Sequence, residues 1–187
     1  MLLSQSIRLL NVLCCLLIVV VSTACTHVST PEATASEIKS FSHAINALSE
    51  NVLPEDASQT SQLLYNAAVE LADEYRMMSP PSYHNMLVNL GVRKRGLCCH
   101  WAEDLHAKLR ELNASSLTFA WLVAHQGNTF REHNTVVIYA VGSTWAKGMV
   151  FDPWRKAGSP YWTKVEGDKY PWQLHPLSGQ WDLLRCK

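Results

Sequence analysis

The sequence predicts an α+β fold in which helices of the first half pack on an antiparallel β-meander formed by the second half. Between residues 36 and 90, apolar side chains recur at the spacing of amphipathic helices. Between residues 117 and 152, runs rich in valine, isoleucine, threonine and aromatic residues are typical of strands. With 187 residues, 48% of them hydrophobic, the chain suits one compact domain with a sizeable core.

The amino terminus has the pattern of an export signal. Arg8 precedes a mostly apolar run from Leu9 to Val21, and small residues follow before Cys25. The run is shorter than the roughly 20 residues that span a bilayer, so residues 1–24 are predicted to be a signal peptide. A plain secretory signal and a single anchor helix are the alternatives.

Cys25 resembles the lipidated cysteine of bacterial lipoproteins, because it directly follows small residues at the end of the apolar run. The resemblance implies a lipid anchor in the membrane, and Thr26 in the next position implies an outer-membrane lipoprotein facing the periplasm. Residues 25–36 are small, polar and proline-containing, which predicts a flexible tether. The domain is then expected over residues 37–187.

Three helices are predicted ahead of residue 91. Pro54 separates the first two, and Gly91 ends the third, which runs from Ser82 to Leu90. The apolar positions that predict the first two helices are Ile38, Phe41, Ile45 and Leu48, and then Leu63, Leu64, Ala67, Ala68, Leu71 and Tyr75.

Three strands are predicted in the second half. The first is the alternating run from Leu117 to Val123, the second runs from Asn134 to Val141, and the third from Gly148 to Asp152. Short turns between them favour a meander. The remainder of the chain is expected to be coil with at most one further strand.

A fourth helix is predicted after Gly96, with Cys98 in its first turn. The unpaired N–H groups and the dipole of a helix start stabilise a thiolate. At about 100° per residue, Leu105 and Leu109 fall on the same face as Cys98, whereas Cys99 leans toward the polar side. The thiol of Cys98 is therefore expected to point at the sheet.

Two residues of the sheet are placed to act with that thiol. His133 stands at the entrance of the second strand, and Asp152 ends the third. The start of one antiparallel strand lies beside the end of its neighbour, so the two side chains are expected to meet. A thiol nucleophile needs a base within hydrogen-bond reach and a group that orients the base.

Three segments of the chain resemble the transglutaminase-like fold of the papain-like cysteine enzymes. They are the glycine, cysteine and alanine pattern from Gly96 to Ala102, the histidine-led strand from His133 to Tyr139, and the aspartate-proline strand end from Val150 to Trp154. The resemblance covers roughly residues 82–155. It implies that Cys98 is the nucleophile, His133 the base and Asp152 the orienting acid.

The resemblance implies a thiol-dependent hydrolase or acyltransferase that acts on peptide or protein amides at the cell envelope, as a protease, deamidase or transglutaminase. It implies no cofactor. The Cys98 backbone N–H is the first candidate oxyanion donor, and Asn85 or Gln126 is a candidate for the second. The alternative from another class is a non-catalytic lipoprotein that keeps the fold as an interaction module.

Removal of the signal and lipidation of Cys25 leave three cysteines, Cys98, Cys99 and Cys186. Because three is odd, at least one thiol stays free in an oxidising compartment. Cys99 either pairs with Cys186 or is itself a free or buried thiol. Adjacent cysteines do not have the usual zinc-ligand spacing, so no metal site is expected.

The aromatic residues and the net charge of the chain indicate which kinds of partner the protein binds. Trp101, Trp121 and Trp154 are candidates for a substrate groove, although packing in the core is the commoner role of such residues. Sixteen basic and sixteen acidic residues give no net charge, which disfavours a nucleic-acid partner. The sequence carries no signal for an oligomeric state.

Overall fold

The structure, a computed structural model, describes residues 34–178 and residue 186. The predicted signal peptide, the lipidation site at Cys25 and most of the predicted tether lie outside the described residues. The first helix begins at Ala35, two residues ahead of the predicted start of the domain at residue 37. None of the described helices is long and apolar enough to cross a membrane.

The mixed α+β architecture predicted from the sequence is confirmed. The described chain has four α-helices, α1 (Ala35–Asn46), α2 (Pro54–Glu74), α3 (Pro81–Asn89) and α4 (Cys98–Arg110). It has five strands, β1 (Leu117–Ala124), β2 (His133–Ala140), β3 (Met149–Phe151), β4 (Trp162–Lys164) and β5 (Trp172–Leu174).

The five strands form one antiparallel sheet in the order β4-β3-β2-β1-β5. The predicted meander holds for β1 to β3 and continues into β4, whereas β5 returns to the free edge of β1. The prediction of at most one further strand was therefore wrong by one. Strands of three residues are too short to show an alternating pattern, so their pairing is set by their neighbours.

Local residue choice accounts for the helix starts. Thr34 caps α1: its hydroxyl accepts the N–H of Glu37, whose carboxylate accepts the N–H of Thr34 in return. Pro54 occupies the first turn of α2, where its missing N–H costs nothing. Both helices carry an acidic residue in the first turn, which suits the positive end of the helix dipole.

The main core lies between the helices and one face of the sheet. Phe41 of α1 stacks on Phe151 of β3 and on Trp162 of β4, with ring centroids 5.5 and 5.1 Å away. The other fully buried members include Ile45, Leu64, Leu105, Leu109, Val136 and Ile138. This packing fixes α4 against β2.

The opposite face of the sheet carries a second apolar cluster, whose buried members include no residue of the four described α-helices. Its buried members are Ala120, Leu122, Ala124, Val137, Val150 and Trp172. Val165 and Tyr170, from the segment before β5, pack against it. His133 and Val137 have the same parity on β2, so the histidine belongs to this face.

Candidate active site

Gly96 makes the turn that leads into α4. Its φ angle is +119°, a conformation that favours glycine. A β-carbon at this position would lie 2.1 Å from Nε2 of His84, so the site also lacks room for any other residue. His84 is fully buried, and its ring N–H donates to the carbonyl of Arg95 over 3.0 Å. The chain therefore passes tightly over His84 before the helix begins.

A histidine caps the start of α4. Leu97, the N-cap residue, has no side-chain acceptor, and Nδ1 of His100 instead accepts the N–H groups of Gly96 and Leu97, each over 3.2 Å. Nδ1 must be unprotonated to do so. Burial and, secondarily, the charge of Arg95 lower the pKa of His100, which favours this neutral form.

Arg95 ties the same turn to the outer face of α4. Its guanidinium donates to Glu103 over 3.0 Å and to Asp104 over 2.8 Å. Asp104 also accepts the hydroxyl of Tyr75, the residue that directly follows α2. These contacts fix the turn against α4, whose first residue is Cys98, and fix α4 against Tyr75.

The two adjacent cysteines differ in their bonding state. Cys99 forms a disulfide with Cys186 and packs beside Ala102 and Trp121. Cys98 is half-buried and is the only free cysteine among the described residues, with its sulfur 3.9 Å from the carbonyl oxygen of Glu132. Of the alternatives for Cys99, the structure supports the disulfide, which leaves Cys98 as the available thiol.

The structure brings Cys98, His133 and Asp152 together. His133 pairs with Ala124 at the start of β2, and Asp152 follows β3, whose last residue pairs with Val136. Nε2 of His133 and Oδ2 of Asp152 are 2.6 Å apart, and both side chains are buried. Since Nε2 is occupied, Nδ1 is the ring nitrogen left for the Cys98 thiol.

Electrostatics favour a charged imidazole at this site. Burial alone would lower the pKa of His133, but the carboxylate of Asp152 and a hydrogen bond with Cys98 outweigh it and raise the pKa to about 9. An imidazolium at neutral pH is the natural partner of a thiolate. The three residues therefore form a potential ion-pair relay from sulfur to carboxylate.

Aromatic rings surround the imidazole of His133. The ring centroids of Tyr170, Trp154 and Trp172 lie 4.5, 4.8 and 5.5 Å from it. Trp172 and His133 both pair across strands with Ala124, which accounts for their proximity. Tyr170 could not be predicted at the site from the sequence, because it lies where no regular period is visible.

Behind the carboxylate of Asp152 lies an ion pair that the sequence analysis missed. Nε of Arg155 donates to Oδ2 of Asp152 over 2.6 Å, while its two terminal nitrogens donate to Asp168 over 2.9 and 2.5 Å. Trp172 donates its indole N–H to Asp168 over 2.8 Å. Arg155 could have been identified from the sequence, because it lies three residues after Asp152 and just past Pro153. No feature of the sequence pointed to Asp168.

Two of the three tryptophans considered for a substrate groove lie in the interior. Trp101 and Trp121 are each 2% exposed, so we correct the expectation that they line a groove. Trp101 packs edge-on against Tyr75, and Trp121 donates its indole N–H to Asn134. Large apolar rings with a satisfied N–H belong in a core. Trp154 is half-buried beside His133 and remains a candidate.

The two candidates for the second oxyanion donor differ in their surroundings. The amide oxygen of Asn85 accepts the indole N–H of Trp154 over 3.1 Å, which directs Asn85 toward the residue that packs on His133. Gln126 is exposed in the loop between β1 and β2. Asn85 is therefore the better-placed candidate.

Comparisons with protein-family models, with curated proteins and with solved structures found no match for the chain.

Proposed function

We propose that this protein is a thiol-dependent hydrolase or acyltransferase acting on peptide or protein amides at the cell envelope. The observation that carries the proposal is the alignment of a free helix-start thiol with the buried pair of His133 and Asp152, whose atoms are 2.6 Å apart. The side chains of Cys98, His133 and Asp152 supply the nucleophile, the base and the orienting acid that such chemistry requires.

In the proposed reaction, the Cys98 thiolate attacks the amide carbon and forms a carbon–sulfur bond. The carbonyl oxygen becomes an oxyanion, which the backbone N–H of Cys98 at the start of α4 stabilises. When the carbon–nitrogen bond breaks, His133 gives its proton to the leaving amine. The acyl-enzyme then passes to water, giving hydrolysis, or to another amine, giving transfer.

A transglutaminase-like core remains part of the proposal. It is supported by the chain order of the site: a cysteine at the first residue of α4, a histidine heading β2 and an aspartate directly after β3. Helices that precede an antiparallel sheet fit the same architecture. Asn134 departs from the family pattern, which often has an aromatic or acidic residue directly after the histidine. Here its amide joins the indole of Trp121 to the carboxylate of Glu132.

The envelope location rests on the amino-terminal sequence and is supported by the disulfide between Cys99 and Cys186. Disulfides persist in oxidising compartments such as the bacterial periplasm. Lipidation at Cys25 and an outer-membrane position are proposed because Cys25 resembles the lipidated cysteine of bacterial lipoproteins. The parent chain should incorporate labelled palmitate and Cys25→Ser should not; a parent chain without label would contradict the anchor.

The decisive experiment is alkylation of Cys98 with iodoacetamide across pH, read from the Cys98 peptide by mass spectrometry. We expect rapid labelling well below pH 8, slowed at least tenfold in His133→Ala. An ordinary free thiol ionises near pH 8.5. A profile of that ordinary form, unchanged in His133→Ala, would favour a non-catalytic interaction module.

A second assay separates the reaction types. Incubation with a glutamine-containing peptide and hydroxylamine releases ammonia in either case when the acyl-enzyme forms. The peptide product is a hydroxamate if the acyl group is transferred and glutamate if it is hydrolysed. Cleavage of the peptide chain would instead indicate a protease. Cys98→Ala is the matched control, since it removes only the sulfur.

A further inference from the structure

We propose that Arg155, anchored by Asp168, is a positioning residue of the active site that holds the Asp152 carboxylate toward His133 and supplies the positive charge that balances it. The inference rests on the proposed function, because it assigns a role toward the Cys98–His133–Asp152 relay. Arg155 acts through Asp152 and does not touch the reacting atoms.

The geometry ties Arg155 to the oxygen that His133 uses. Oδ2 of Asp152 lies 2.6 Å from Nε2 of His133 and 2.6 Å from Nε of Arg155. One carboxylate oxygen therefore accepts from both groups. The orientation of Asp152 is fixed from two directions, so the carboxylate cannot rotate away from the imidazole without breaking a buried ion pair.

Asp168 fixes the other end of the guanidinium. Its two oxygens accept from the two terminal nitrogens of Arg155 over 2.9 and 2.5 Å, a bidentate arrangement with well-defined directions. The side chains of Arg155, Asp152 and Asp168 are 8%, 1% and 2% exposed. Water screens these charges little, so each strongly affects its neighbours.

The aromatic rings couple the guanidinium to the imidazole. The guanidinium carbon of Arg155 lies 4.7 Å from the ring centre of Tyr161 and 4.6 Å from that of Tyr170. The same Tyr170 ring packs 4.5 Å from the ring of His133. A lysine in place of Arg155 would keep the positive charge but could not make all three directed hydrogen bonds to Asp152 and Asp168.

These positions predict a specific effect on protonation. Without Arg155, the two buried carboxylates of Asp152 and Asp168 would keep only the imidazolium of His133 as a compensating cation, so nearby groups would bind protons more tightly. The rise in the rate of Cys98 alkylation with pH, the low-pH limb of the profile, should then occur at higher pH. A residue that merely stabilises the fold would lower the midpoint of unfolding without moving this limb.

The test compares Arg155→Met, Arg155→Lys and Lys156→Met in the full chain. Lys156 is the matched control, because it is the adjacent residue, carries the same charge and is exposed to solvent. We expect the half-maximal pH of Cys98 labelling to rise by about one unit in Arg155→Met. Arg155→Lys and Lys156→Met should stay near the parent value.

A profile for Arg155→Met that coincides with that of Lys156→Met would overturn the inference. If Arg155→Met does not fold, Asp168→Asn provides the test. Removal of one buried anion should lower the half-maximal pH of Cys98 labelling. An unchanged half-maximal pH would refute the positioning role of Arg155. The proposed function fails separately, when labelling in the parent chain does not depend on His133.

Discussion

Gly96 and His84 are packed so closely that a β-carbon on the glycine would lie 2.1 Å from Nε2 of the histidine ring. This contact sets the path of the chain immediately before Cys98, the proposed nucleophile. Because Cys98 follows two residues later, the position of the thiol depends on the absence of a side chain at Gly96.

Gly96→Ala should therefore disturb both the fold and the site. Left-handed strain costs about 1–3 kcal/mol, and the clash with His84 adds to it. The matched control is Gly142→Ala, where φ is +80° but a β-carbon would have nothing within 4 Å. Urea unfolding should show the larger loss for Gly96→Ala, together with slowed Cys98 labelling. Equal losses in the two variants would show that the contact with His84 is unimportant.

Stability should decline at alkaline pH because of His133. Its pKa is raised to about 9 in the folded protein, against about 6.5 in an unfolded chain. The protonated histidine therefore contributes full stabilisation below pH 6.5, and the contribution disappears as the pH rises through 9. Thermal unfolding across this range should show the decline. In Asp152→Asn, which removes the negative charge, the slope should be much shallower; an unaltered slope would contradict the assignment.

His100 should produce a decline on the acid side. Its pKa is lowered in the folded protein, chiefly by burial, so its contribution is present above pH 6.5 and is lost as the pH falls below that value. Protonation of Nδ1 removes the acceptor for Gly96 and Leu97. His100→Asn offers an acceptor that does not titrate. Thermal unfolding of this variant should lose less stability between pH 6.5 and 5 than the parent chain, and an equal loss would argue against the capping role.

The disulfide should both stabilise the domain and keep the Cys98 thiol free. The bond joins cysteines 87 residues apart, a long loop whose closure is worth about 2–5 kcal/mol. In Cys99→Ser, the freed Cys186 would lie within reach of the neighbouring Cys98. We expect the single variant to lose Cys98 labelling until a reductant is added. The double variant Cys99→Ser/Cys186→Ser should be less stable but labelled without reductant; labelling of the single variant without reductant would exclude the wrong pairing.

The long elements and the meeting of His133 with Asp152 followed from the sequence, because each depends on a repeating pattern or on antiparallel register. The strand from 117 to 124 extends one residue past its predicted end, and the strand from 133 to 140 begins and ends one residue before its predicted bounds. Helical facing and register together favoured Cys98 over Cys99, and the observed disulfide leaves Cys98 as the free thiol.

The parts that the sequence did not reveal depend on tertiary packing. Trp101 and Trp121 were candidates for a groove, yet packing against Tyr75 and a hydrogen bond to Asn134 place them in the interior. Asp168 reaches Arg155 only because the segment before β5 folds back over the sheet. No local pattern encodes such a return, so the support behind Asp152 was invisible before the fold was known.

The disulfide also has a consequence for the order of events during biosynthesis. Cys186 follows every described helix and strand in the chain, so its bond to Cys99 can form only after all of them have been translated. Until then, the growing polypeptide carries two neighbouring thiols at the start of α4. Cys98 thus becomes the lone free thiol among the described cysteines only at the end of chain synthesis.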